Sequence, residues 1–348
     1  MQNKFTGKNI LVVGGAGFVG SNLVNALLTR SPRQVVIVDN LLSAERGNVP
    51  NAPEVVFVEG SITDETILAL LRDDLDYVFH LATFHGNQNS IYDPLTDHEN
   101  NTLTTLKLYE RIKDFKRIQK AVYASAGCTV AEKTFGTARA TQEDDPVSLY
   151  LDSPYQISKI VGEMYSNYYY QRHDLRVVKA RFQNVYGPGE ILGAGRWRGT
   201  PATVWRNVAP TFVYKALKGQ ALPVEGIGEA TRDFIYVEDI VEGLLACAAR
   251  GVPGAVYNLA SGIETSIREL AMLVNELAGN STPIEWRPQR TWDHSGKRYG
   301  STVKARREIG FEAKVGVEQG LKRTIEWTRA NLPLVDACIN KHLMHMAA

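Results

Sequence analysis

The chain has little cysteine, almost no net charge and no long apolar run, and each shortage removes a class of protein. Cys128, Cys247 and Cys338 stand far apart with no Cys-x-x-Cys pair, which excludes a disulfide framework and a zinc ribbon and fits a reducing compartment. The formal net charge is +1 at pH 7, so no broad field exists to hold nucleic acid or an anionic membrane surface. Met1 to Lys8 is polar, and the apolar run Ile10 to Val13 breaks at Gly14. Neither a signal peptide nor a membrane span is read there, and the expected location is the cytoplasm. There is no internal repeat, no low-complexity tract and no linker long enough to separate independent domains.

What is present is an ordinary globular composition, 44% hydrophobic and 22% charged over 348 residues, enough to bury a large core. Ile10–Val13, Gln34–Val38, Val55–Val58, Tyr77–Leu81, Ala121–Ala124 and Leu175–Ala180 are short, apolar and rich in β-branched residues. They read as buried strands of a parallel sheet. Helical spacing appears between or after them over Phe18–Leu28, Thr63–Leu71, Leu103–Ile112 and Ile157–Tyr170. The alternation predicts βαβ crossovers. After Arg181 the chain becomes rich in loops, with Gly187, Pro188, Gly189, Gly193, Gly195, Gly199 and Pro201 crowded together before a helix around Pro210–Lys218.

The first predicted strand runs into Gly14-Gly15-Ala16-Gly17-Phe18-Val19-Gly20 and then into a helix. Glycines there let the backbone approach a pyrophosphate at the helix N-terminus. Asp39, nineteen residues after Gly20, closes the second apolar run. A carboxylate at that place binds adenosine ribose hydroxyls and repels a 2′-phosphate, so the site favours NAD over NADP. The expected fold is α/β, a Rossmann doubly wound parallel sheet with a smaller, mixed C-terminal substrate-binding region. We assign residues 1–182 to the NAD-binding domain, with a returning segment near 234–262, and residues 183–233 and 263–348 to the substrate region.

Tyr155 and Lys159 lie four apart, on one face of a helix that Ser153 can cap and Pro154 can begin. A tyrosine hydroxyl with an ordinary pKa of about 10 needs a neighbouring cation to act as a base at neutral pH. Tyr109/Lys113 and Tyr214/Lys218 repeat the spacing, so position decides. Position favours Tyr155: the helix starting at Pro154 follows the Ala121–Ala124 strand, and an α/β sheet presents catalytic groups near the carboxyl ends of its strands. The other two tyrosines read as half-buried helix residues.

These features resemble the extended short-chain dehydrogenase/reductase family, specifically its nucleotide-sugar epimerases and dehydratases. The likeness spans nearly the whole chain. It includes Asp39-Asn40, His80-Leu81-Ala82, Asn101, Arg181-Phe182-Gln183-Asn184-Val185-Tyr186-Gly187-Pro188 and Arg232-Asp233-Phe234-Ile235-Tyr236-Val237-Glu238-Asp239. The resemblance implies that NAD is held by Gly14, Gly17, Phe18, Val19, Gly20, Asp39, Asn40, Ser61, Ile62, Leu81, Ala82, Thr83, Asn101, Tyr155, Lys159 and Phe182. It implies a nucleotide-sugar substrate, most simply a UDP-sugar, contacted by His85, Asn184, Arg232, Asp293 and Arg298. Tyr155 would take a sugar hydroxyl proton while hydride leaves the same carbon, and hydride return to the opposite face would complete an epimerisation. A homodimer joined through the two long Rossmann helices, and a place in bacterial O-antigen or lipopolysaccharide precursor synthesis, are also implied. Tyr165, Tyr168, Tyr169 and Tyr170 could serve that dimer or the core.

The chain departs from the family at one catalytic position. The strand before the catalytic tyrosine ordinarily ends in a Ser or Thr that bonds the reacting sugar oxygen, and here that position falls on Ala126 or Gly127. Ser125, Cys128 and Thr129 are the candidate substitutes. Cys128 also matches the acid/base cysteine of GDP-mannose 3,5-epimerases, whose partner lysine aligns with Asn207. Gly127 and Cys128 stand where 4,6-dehydratases carry an acidic pair, which leaves 4-epimerisation leading, with 3- or 5-epimerisation, 4,6-dehydration and a catalytically silent NAD-binding protein as alternatives. Ser61 replaces an Asp that reads the adenine, and His85 replaces a Lys of galactose-type epimerases. Ile191–Arg206 carries Arg196, Trp197, Arg198, Trp205 and Arg206, and reads either as a lid giving cations to the diphosphate and a ring to the base, or as a solvated loop.

Overall fold

The structure is a computed structural model that describes residues 4–127, 136–290 and 296–347. Seven strands form its central sheet: β1 (Asn9–Val13), β2 (Gln34–Asp39), β3 (Val55–Glu59), β4 (Tyr77–His80), β5 (Lys120–Ala126), β6 (Val177–Phe182) and β7 (Val256–Leu259). Every pairing is parallel, in the order β7-β6-β5-β4-β1-β2-β3. Side chains alternate across a strand, and β1 shows the result. Ile10 and Val12 pack into one apolar layer, Leu11 and Val13 into another. A strand buried on both faces reads as a continuous apolar run, and helices cover both sides of the sheet.

Four helices matter for the site. Helix α1 (Phe18–Leu28) follows β1, α2 (Thr104–Ile112) precedes β5, α3 (Pro154–His173) precedes β6, and α4 (Val237–Arg250) precedes β7. Ser153 caps α3 by accepting from the Gln156 N–H, and Pro154 is its first residue. The segment expected as a helix over Thr63–Leu71 keeps only Glu65–Leu68. Asp64 caps that turn, and Leu70 and Leu71 close it with tighter three-residue bonds. Helix α2 is preceded by one π-helical turn, His98–Leu103, a geometry often found beside functional sites. The chain re-enters the sheet with β7, which pairs with β6. A third apolar cluster, around Phe212, Val213, Leu270, Val274, Leu321 and Ile325, supports the region beyond the strand ends. Among the described residues, no helix is long and apolar enough to cross a membrane.

Candidate active site

A cleft of about 510 Å³ opens above the carboxyl ends of the strands, where open α/β sheets take ligands. Two glycines fix the turn beneath it. Gly14 has φ +86°, and a Cβ there would stand 2.5 Å from the Ala82 nitrogen; a Cβ on Gly20 would overlap the Gly14 carbonyl oxygen. Only bare backbone lets α1 start this close to β1 and β4. Beside the turn, Asp39 accepts from the Ala16 and Leu41 N–H groups, each at 2.9 Å. Burial raises its pKa against the pull of those bonds. Each carboxylate oxygen keeps further acceptor capacity, which suits a pair of ribose hydroxyls. Gly14, Gly17, Phe18, Val19, Gly20, Asp39, Asn40, Ser61, Ile62, Leu81, Ala82, Thr83 and Phe182 all line the cleft. A glycine cradle at one place and an acid one strand away fit NAD.

Asn101 does not line it. Its Oδ1 accepts from the Thr83 hydroxyl and the Phe84 N–H, and its Nδ2 donates to the Phe84 carbonyl and to Asp97. The π-turn directs this amide into the protein, where it pins the loop after β4. Ser61 reaches the cleft wall with its hydroxyl 2.8 Å from that of Thr63.

Tyr155 and Lys159 meet the cleft from the first turns of α3. The Lys159 ammonium donates to the Ala124 carbonyl at 2.9 Å and stands 5.7 Å from the Tyr155 ring centre. Burial lowers the Lys159 pKa to about 8, opposed by the charge of Asp97. Asp97 is itself raised to about 6 by burial, against hydrogen bonds from Ser158 and Asn101. The Tyr155 N–H donates to the Ser90 hydroxyl, and His85 meets the Tyr155 ring edge-on at 5.8 Å. Burial and the nearby Arg206, Arg198 and Lys159 charges push His85 down to about 3, so its ring is neutral at pH 7.

Asp97 thus helps to hold the proton on Lys159. In Asp97→Asn that attraction is gone, so Lys159 should lose its proton at lower pH. The basic limb of the kcat profile is expected to move below its wild-type position by about one unit; an unmoved limb would mean that another group titrates there.

Ser125 is buried at the end of β5, and its hydroxyl donates to Glu163 Oε1 at 2.6 Å. Glu163 is in turn held by Arg181 through two bonds of 2.8 and 2.9 Å. A hydroxyl has one proton to give. Ser125 borders the cleft with Ala124 and Ala126, but in this structure its one proton goes to Glu163. Cys128, Thr129 and Asp293 lie outside the described residues. His85, Asn184, Arg232 and Arg298 all line the cleft. Arg232 is fixed through Nη1 to the carbonyls of Thr231 and Gly296.

Ile191–Arg206 is not a solvated loop. Arg196 Nη2 donates to the Asn40 carbonyl, Arg198 Nη1 to the Leu42 carbonyl and the Ser43 hydroxyl, and Arg206 Nη1 to the Ser43 carbonyl. Trp197 stacks on His345 at 5.1 Å. The segment is riveted to the loop after β2 and to the C-terminal helices. Trp205 and Arg206 line the cleft, whereas the Arg198 guanidinium is spent on protein groups. The two other Tyr-Lys pairs lie elsewhere. Tyr109 is fully buried, not half-buried, with its hydroxyl 3.0 Å from that of Ser166, while Tyr214 and Lys218 share Asp336.

Sequence reasoning passed over Asp97 and Glu190. Glu190 is a buried acid on the cleft wall that accepts from Asn207 and is raised to about 7 by burial.

A dinucleotide cradle facing a Tyr-Lys pair, on a seven-stranded parallel sheet, defines an NAD-dependent enzyme of the extended short-chain dehydrogenase/reductase type. The model of the NAD dependent epimerase/dehydratase family matches residues 10–260, and the chain belongs to that family. The UDP-glucose 4-epimerase of Mycolicibacterium smegmatis is 32% identical over 325 residues, 92% of this chain and 98% of that protein. A dTDP-glucose 4,6-dehydratase of Streptomyces antibioticus is 29% identical over 333 residues, 93% of each. Among solved structures, the Bordetella bronchiseptica enzyme WbmF in complex with NAD+ and UDP is 62% identical, covers 99% of both chains and superposes with a TM-score of 0.90.

Proposed function

We propose that this NAD-dependent nucleotide-sugar epimerase inverts C4 of a UDP-sugar through a transient 4-keto sugar. The observation that carries the reading is one cleft holding three parts: the cradle at Gly14–Gly20, the Tyr155/Lys159 pair, and Arg232 with Arg298. Guanidinium groups recognise a diphosphate by charged, bidentate hydrogen bonds. Tyr155 removes the proton of the 4-hydroxyl, and the Lys159 ammonium stabilises the phenolate that makes this possible near neutral pH. NAD held by the Gly14–Gly20 turn and Asp39 would supply the hydride acceptor and donor for C4, with return to the opposite face completing the inversion. Tyr155 then returns the proton to the reduced oxygen. Neutral His85 against the Tyr155 ring adds no second cation to the pair.

The supporting findings are the relatives' activities and the UDP found in the WbmF complex. A homodimer fits the exposed stripe of Ile157, Met164 and Tyr168 on α3, residues 50%, 59% and 53% exposed. On this reading the enzyme works in the cytoplasm and makes a precursor of bacterial surface polysaccharide.

The test is the purified protein with NAD and a panel of UDP-, GDP- and dTDP-sugars, including uronic acids, followed by NMR. Interconversion of one C4-epimeric UDP-sugar pair, with no solvent deuterium at C3 or C5, is the expected result. A 4-keto-6-deoxy product would make it a dehydratase, and deuterium at C3 or C5 would make it an epimerase of those carbons.

A further inference from the structure

We infer that Arg206 is the cation that receives the pyrophosphate of the dinucleotide, and that Glu190, its counter-charge in the protein, takes up a proton as the pyrophosphate arrives. The inference stands on the NAD cradle and does not depend on which sugar carbon reacts. Its evidence is where Arg206 is fixed. Nη2 donates to the Ile191 carbonyl at 2.9 Å and Nη1 to the Ser43 carbonyl at 3.3 Å. The stretch leading into Ile191 is seated on the start of α1: Asn22 Nδ2 donates to the Pro188 carbonyl at 3.1 Å, and a Cβ on Gly189 would stand 3.1 Å from that nitrogen and 3.9 Å from the Phe18 ring. Ser43 belongs to the loop after β2, just past Asp39. Of the charges that act on His85, the ring neighbour of Tyr155, Arg206 is the foremost. The guanidinium thus stands between the Asp39 end of the cradle and its Tyr155 end, beside the start of α1. A dinucleotide has its pyrophosphate there.

The guanidinium is open to the cleft. Arg206 is half-buried on the cleft wall, and among the described residues its N–H groups give only the two bonds above. A guanidinium has five such donors in a planar fork that suits phosphate oxygens, so the others remain for a ligand. Glu190 is the acid beside it, 5% exposed on the same wall. Its Oε1 accepts from Asn207, and its Oε2 has no hydrogen-bond partner among the described residues. A buried carboxylate oxygen without a partner is costly to keep charged. Burial raises Glu190 to about 7, opposed by the Arg206 charge and the Asn207 bond. The groups packed from α1, Phe18 and Asn22, are uncharged; Arg206 itself is faced by Cys338, Arg198 and the neutral His85. A pyrophosphate that draws on Arg206 weakens the attraction that keeps Glu190 ionised and adds repulsion of its own. Both effects raise the pKa of Glu190, so the bound state holds more protons than the free one. Dinucleotide affinity must therefore fall as pH rises through about 7.

The experiment titrates NAD, and separately UDP, into the full chain freed of bound nucleotide, for wild type, Arg206→Gln, Arg206→Lys and Glu190→Gln. Calorimetry in two buffers of different ionisation heat, repeated across neutral pH, gives both the Kd and the number of protons taken up. Arg206→Gln keeps a donor for the Ser43 carbonyl but has no charge, and is expected to weaken NAD about tenfold or more, the worth of a hydrogen bond to a charged group. Arg206→Lys keeps the charge and is expected to recover most of that loss. Wild type should take up at most about half a proton with NAD at pH 7. Glu190→Gln should take up none and should lose the fall in affinity above that pH. UDP affinity should be unchanged throughout, which also shows each variant to be folded. Arg206→Gln within threefold of wild type for NAD would overturn the inference, as would Arg206→Lys no better than Arg206→Gln, since the residue would then only rivet the loop after β2. Proton uptake that persists in Glu190→Gln removes Glu190 from the account. If Arg206→Gln weakens UDP and leaves NAD intact, the diphosphate belongs to the sugar nucleotide and the assignment to the dinucleotide is wrong.

Discussion

Tyr155→Phe should lower kcat by about 10²–10⁴-fold, the usual worth of a positioned acid/base, while the protein still binds NAD and UDP. The substitution removes one oxygen and leaves the ring that packs against His85. The Lys159 ammonium keeps its bond to the Ala124 carbonyl, so the local structure has no reason to move. Binding depends on the glycine turn, Asp39 and the arginines, none of which the phenol supports. The measurement is turnover by NMR beside calorimetric binding of UDP. Wild-type turnover in the variant would show that another group is the base. Tyr109 and Tyr214 give internal controls: both donate or share their hydroxyls within the protein, and their Phe variants should leave kcat unchanged.

The largest effect on stability is expected from Arg181→Leu, about 3–5 kcal/mol. Arg181 is 5% exposed and Glu163 9%, and the guanidinium binds both carboxylate oxygens and the Glu143 carbonyl. Removing the cation leaves Glu163 in a dry site with only the Ser125 hydroxyl. Most of the cost is that stranded charge, not the lost attraction. It follows that Glu163→Leu/Arg181→Leu should be less destabilised than Arg181→Leu alone. Urea unfolding of Arg181→Leu, Glu163→Leu and the double variant decides it, and strict additivity of the two single losses would refute the account. The pair stands directly behind the end of β5, so the same variants report how firmly the floor of the cleft is held.

Sequence patterning revealed the sheet because buried parallel strands are short apolar runs, and it revealed the cradle because glycine, strand and acid stand in fixed order. Position picked Tyr155 out of three pairs with the same spacing. What stayed illegible depends on direction, which a string of letters does not carry. Asn101 matches a family position, yet the π-turn aims its amide at Phe84 and Asp97. Ser125 has a hydroxyl at the right strand end, yet it faces Glu163. Arg198 is a cation near the cleft, yet backbone carbonyls consume it.

The arginine rivets between 191–206 and the loop after β2 bear on how the enzyme lives among other redox proteins. Asn40, Leu42 and Ser43 sit immediately past Asp39, and Arg196, Arg198 and Arg206 bind all three. Swinging that loop aside breaks these four hydrogen bonds, each worth about 0.5–1.5 kcal/mol, and if a dinucleotide binds at Asp39 as proposed, its release is expected to be slow. An enzyme that returns its hydride every cycle and seldom exchanges its carrier is insulated from the cell's balance of oxidised and reduced nicotinamide. Its output then follows the supply of sugar nucleotide alone.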